Sequence, residues 1–295
     1  MRNYIILLSL LFVFSCKNSN ITTETKKPNP VEETSVDSDL SAISTKDFRE
    51  FKVLDSKVLS KAEIWSSVSP QMTDFTDSDY NRLKPLILEA DISTLQKYIR
   101  EGKFNYEQLT KFYLFRIRKY DRENDLSLNS VISINPNVID KAKQADGVEF
   151  EEGMHPIFGM PILLKDNINA DGMVTTAGAV ALINNKTGDA SLVKQLKFKG
   201  ALILGKANLS EWAYFFCGDC PSGYSAVGGQ TLNPYGRRIL DTGGSSSGSG
   251  VSVSANFAAA AIGSETSGSI LSPASSNSIV GLKPTIGLVS RSGVV

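Results

Sequence analysis

The sequence predicts an α/β fold with a parallel or mixed sheet, and three observations support this. Short apolar runs, Val131–Ile134, Ile162–Leu164 and Ala201–Leu204, alternate with helical patterns such as Ser191–Phe198. Alternation of this kind builds a sheet covered by helices. Residues 73–150 are largely helical in pattern and supply a broad apolar stripe. Finally, the chain is crowded with glycine and serine from Gly218 to Gly268, most densely over Gly243–Gly250, which leads into the Ala-rich apolar segment Val251–Ile262. A Gly-rich turn opening a buried element exists where something approaches the backbone closely, which sets this tract apart from a flexible linker.

Taken in order, the chain begins with what reads as an address. Arg2 precedes the apolar run Ile5–Phe14, which at ten residues is too short for a bilayer span of about 20 and suits a signal-peptide core. Val13-Phe14-Ser15-Cys16 then resembles a bacterial lipobox, with Cys16 as the lipidated first residue of the mature chain. We therefore expect a signal segment over 1–16 and a polar tether over 17–45, which has too little apolar surface to offset its ordering entropy. A folded region is expected over 46–295, helical to about 128 and α/β from about 129. This predicts an exported, lipid-anchored bacterial lipoprotein, periplasmic or at the outer membrane or cell surface, touching membrane only through its anchor.

Within the folded region Asp91 caps a helix carrying Ile92, Leu95, Tyr98 and Ile99 on one face, and Gly102 stops it. Asn105 and Gln108 form a capping box. Leu109, Phe112, Tyr113, Phe115, Ile117 and Tyr120 follow as a stripe suited to core packing. The segment Val251–Ile262 reads as a buried helix.

Composition excludes several functions. With 31 basic and 31 acidic side chains there is no electrostatic footprint for nucleic acid. Three cysteines build no disulfide scaffold, and one histidine leaves no histidine-rich metal site. Gly200–Lys206 nearly fits a phosphate-binding loop, but Ala207 replaces the hydroxyl that would hold magnesium, and the interior ALIL is a strand. Gly244–Gly248 fits the GxSxG elbow only as any Gly/Ser tract would, and no histidine follows residue 155. Cys217 and Cys220 are too few for zinc and are compatible with a local disulfide. His155, in a loop before a strand, is incidental. No cofactor or metal is expected.

What remains is a lysine with serines. Lys165 ends the apolar run of GMPILLKDN, where burial lowers a lysine's pKa toward that of a base near neutrality. Ser245 lies in the Gly/Ser tract. In Glu265-Thr-Ser-Gly-Ser269-Ile270, small residues around a hydroxyl leave backbone N–H groups free for an oxyanion.

Seven segments occur in the order found in the amidase signature family: GMPILLKDNI, TTAGA, GALILGKANLSEWA, NPYG, GGSSSGSG, GSETSGSILSPAS and GLKPTIGLVS. The chain resembles that family from about Leu88 onward. The resemblance implies the amidase signature fold, a mixed sheet flanked by helices, here only in its N-terminal portion. It also implies a Ser–cis-Ser–Lys triad that hydrolyses a carboxylic amide. The family's lysine falls on Lys165, its bridging serine on Ser245 and its nucleophile on Ser269. The oxyanion would rest on Thr266, Ser267, Gly268 and Ser269. The implied partner is a small-molecule amide. A cis peptide is implied between Gly244 and Ser245. Ser247, Glu265 and Ser267 depart from the commonest motif. Two other readings are an inactive scaffold of the same fold and, against the lipobox, a glutamine-tRNA amidotransferase subunit. Because family members continue well past GLVSRSGVV, the resemblance also implies a C-terminally incomplete chain, expected to be poorly stable or inactive alone.

Overall fold

The computed structural model describes Ser56 and residues 58–122 and 126–295, all within the unit Phe48–Val295. The signal segment, its Cys16 and the tether lie outside the described residues. Among those described, no helix is long and apolar enough to cross a membrane.

The polypeptide enters through four helices, α1 (Lys61–Trp65), α2 (Asp77–Ile87), α3 (Ile92–Arg100) and α4 (Tyr106–Ile117). Their starts follow from side chains that satisfy the orphan N–H groups of a first turn. Asp91 accepts the Thr94 N–H at 2.7 Å, and Asn105 and Gln108 cap each other reciprocally at 2.8 and 3.2 Å. Gly102, at φ +69°, ends α3 as expected. Its N–H reaches Ile99 O and the next N–H reaches Tyr98 O, the paired bonds of a left-handed helix stop. Leu109, Phe112, Tyr113 and Ile117 are buried as the stripe requires, whereas Phe115 and Tyr120 are half-buried.

The sheet is mixed. Strand β1 (Val131–Ile134) runs antiparallel to β3 (Leu202–Ala207), which runs parallel to β2 (Pro161–Lys165), and β2 runs parallel to β6 (Ala260–Ile262). The spatial order is β1-β3-β2-β6. Between them lie α5 (Val138–Asp146), α6 (Ser191–Phe198) and the short pair β4 (Tyr224–Ser225) and β5 (Gly229–Gln230). Both central strands are buried along their whole length, as strands covered on two faces are. Leu163, Leu202 and Leu204 face the core shared with the N-terminal helices. Leu164 and Ile203 face a second cluster with Ile168, Met173 and Val193.

One expectation is corrected. Val251–Ile262 is not a single helix: α7 spans Ser247–Ser254, starting inside the Gly/Ser tract, and Ala260–Ile262 is strand β6. Asn256 takes a left-handed conformation, φ +56°, and the Phe257 N–H closes the helix on Ser252 O. The apolar residues beyond pair with Ile162–Leu164. A short apolar run carries no period that separates helix from strand.

Candidate active site

The parallel strands β2 and β3 end together, with Lys165 opposite Ala207. Lys165 leaves β2 fully buried, and burial drives its pKa down from 10.5 to about 7, with the Glu265 carboxylate pulling the other way. Its Nζ stands 2.7 Å from Ser245 Oγ and donates to Ser264 O at 3.2 Å. Ser245 follows a cis peptide bond from Gly244.

The Gly/Ser tract is an ordered turn in which nearly every hydroxyl has backbone work. Ser247 Oγ donates to Gly243 O at 2.5 Å, Ser249 Oγ to Ile262 O at 3.1 Å, and Ser246 Oγ to Ser264 O at 3.1 Å. Its glycines are spatial requirements: a Cβ on Gly248 would lie 2.5 Å from the backbone N and O of Asn208 and from Ser130 O. One on Gly244 would meet the Tyr214 hydroxyl at 2.4 Å.

Ser269 is buried beside this turn, its carbonyl accepting the Ser246 N–H at 3.1 Å. Among the described residues no hydrogen bond joins Ser245 Oγ to Ser269 Oγ. The N–H groups of Thr266, Ser267 and Ser269 enter no backbone hydrogen bond among the described residues, whereas Gly268 N–H points to the Glu265 carboxylate. Thr266 and Ser267 are exposed.

The sequence pointed to these residues but not to their supports. Ser264 and Ser246 close a small ring with Lys165 through the shared Ser264 carbonyl. Asn208, just past β3, donates to Gly229 O at 3.0 Å and Thr231 Oγ1 at 2.9 Å, while its own carbonyl accepts Gly248 N–H at 2.9 Å. Next to Lys165, the buried Asp166 and Lys206 stand 3.4 Å apart. Lys206 also donates to Ile168 O and Thr175 Oγ1, and Asp166 accepts the Thr176 hydroxyl, which ties TTAGA to the end of β2. The sequence signal for this pair is a charge inside one apolar strand, Lys206, and one directly after another, Asp166.

The set-aside motifs fall elsewhere. Residues of the near phosphate loop form β3. Cys217 and Cys220 are joined as a disulfide. His155 Nδ1 accepts the Ile157 N–H at 3.2 Å in an exposed loop.

A buried lysine near neutrality, touching a serine on a cis peptide at the mouth of a mixed sheet, defines a lysine–serine site in an α/β protein. Comparison with known proteins carries this to the family. The amidase family profile matches residues 108–295, and the chain belongs to that family. A probable amidase of Arabidopsis thaliana is 44% identical over 216 residues, covering 71% of this chain and 41% of its own. The crystal structure of an amidase family protein from Bacillus anthracis superposes with a TM-score of 0.77 at 41% identity, covering 82% of this chain and 48% of that one. The peptide amidase of Stenotrophomonas maltophilia gives 0.67 at 49% identity, over 70% and 42%. The chain thus spans less than half the length of these relatives.

Proposed function

We propose that this chain carries the catalytic centre of an amide hydrolase working through a Ser269 acyl-enzyme with a Ser245–Lys165 proton relay. The observation that carries this reading is the 2.7 Å approach of Lys165 Nζ to Ser245 Oγ by a lysine whose pKa burial brings to about 7. A neutral amine there accepts the Ser245 proton as Ser245 takes that of Ser269. Ser269 Oγ forms a bond to the amide carbonyl carbon, and the carbonyl electrons move onto oxygen. The free N–H groups of Thr266, Ser267 and Ser269 receive that oxyanion, with Gly268 shared with Glu265. As the C–N bond breaks, the proton returns through Ser245 to the leaving nitrogen. Water, activated by the same relay, then releases the acid.

Amide hydrolysis in general is supported by the family membership. The substrate we propose is a small carboxylic amide, and the likeness to a peptide amidase makes peptide amides the first to assay. Ser269→Ala, Ser245→Ala and Lys165→Ala each remove a relay member and are expected to slow hydrolysis about 10³-fold or more. Hydrolysis that survives Ser269→Ala would refute the assignment. We also propose Cys16 as a lipid-attachment site of an exported chain, supported by the lipobox-like run before it and by the Cys217–Cys220 disulfide, a bond of oxidising compartments. Metabolic labelling with a fatty-acid analogue should vanish in Cys16→Ser, and its persistence there would exclude the site.

A further inference from the structure

Glu265 lies four residues before Ser269 on the loop that carries it. Its Oε2 accepts the N–H of Ile270 at 2.8 Å and of Leu271 at 3.1 Å, and the Gly268 N–H points to the same carboxylate. One side chain thereby grips the backbone immediately before and after Ser269. Hydrogen bonds to an ionised acceptor are the strong kind. Burial pushes the Glu265 pKa up, but these three N–H groups, with Lys283 nearby, outweigh it and hold the carboxyl below its ordinary range. It is therefore charged at neutral pH. The turn continues through Ser272 N–H to Gly268 O at 2.7 Å, so the grip extends into α8 (Leu271–Ser276).

We propose that Glu265 is a positioning residue that fixes the 268–271 turn so that the Ser269 hydroxyl is presented to Ser245 and Lys165. This inference rests on the reading of Ser269 as nucleophile. The same carboxylate is also the charge that holds the Lys165 pKa up against burial, an effect that a plain loop staple would not have. Two further charged groups lie near in the fold: Asp166, next along the chain from β2, and Lys206 on the neighbouring strand β3. They pair with one another at 3.4 Å. Lys283, from the segment after α8, faces Glu265 rather than Lys165. Neutralising Glu265 thus removes a negative charge that favours protonated Lys165, and the pH at which the lysine becomes a base falls.

The test compares the parent chain with Glu265→Gln and Glu265→Asp, following covalent labelling by a fluorophosphonate probe across neutral pH. Glu265→Gln is expected to slow labelling of Ser269 about ten- to hundredfold and to move the pH midpoint downward. Glu265→Asp, which keeps the charge, recovers part of the rate and keeps the parent midpoint. A Glu265→Gln variant with the parent rate and midpoint overturns the proposal. If Glu265→Gln does not fold, as read by circular dichroism, Glu265→Asp decides: a slowed rate at the parent midpoint supports the proposal, and an unchanged rate contradicts it. A folded parent chain that takes no adduct on Ser269 overturns the underlying reading instead, and leaves Glu265 nothing to position.

Discussion

Lys165 shows how the place of a side chain in the fold changes its chemistry. The same residue type on a solvated face keeps its proton at neutral pH. At the buried end of β2 it cannot be hydrated, and its pKa falls to about 7. The sign of the pH dependence follows. The proposed relay needs the neutral amine, so activity is expected to be low where Lys165 is protonated and to rise with pH around a midpoint near 7. A rate that is flat through this range, or that falls with rising pH, contradicts Lys165 as the base. At this scale the sequence was legible where a residue broke its local pattern, as a lysine closing an apolar strand or a hydroxyl framed by small residues. It was silent on Ser264 and Asn208, whose roles come from a carbonyl and an amide that the fold brings from distant positions.

Helix starts and stops were readable because caps are local chemistry: Asp91, Asn105, Gln108 and Gly102 act within one turn of where they stand. The strands β1, β2 and β3 were readable as apolar runs. The failure at Val251–Ile262 has the opposite cause. Its alanines favour helix, and pairing with β2 overrode that preference at Ala260–Ile262. The serine tract is the element on which the site depends most, because α7 begins there with its backbone against that of Asn208 and Ser130. Gly248→Ala puts a methyl group into main-chain atoms that cannot swing away. It is expected to cost about 1–3 kcal/mol in denaturant unfolding and to reduce activity sharply. A variant with unchanged stability would show that α7 packs less tightly than these distances state.

Across the whole molecule, the fold works as a device for bringing three segments distant in the chain to one place. Lys165 arrives on a parallel strand, Ser245 on the turn before α7, and Ser269 on the loop after β6. Parallel neighbours β3, β2 and β6 end on the same side, where ligands bind in open α/β sheets. The chain spans less than half the length of its relatives, yet all the residues of the proposed relay lie within it. The side chains of Val280, Leu282, Ile286 and Leu288 are more than three-quarters exposed. Substrate binding draws on more surface than the relay, whereas covalent capture of the nucleophile draws on the relay alone. The most direct measurement is therefore mass-spectrometric mapping of a fluorophosphonate adduct on the folded chain. One adduct is expected, on Ser269, absent in Ser269→Ala and strongly reduced in Lys165→Ala. An adduct on another residue, or none on a folded chain, would contradict it.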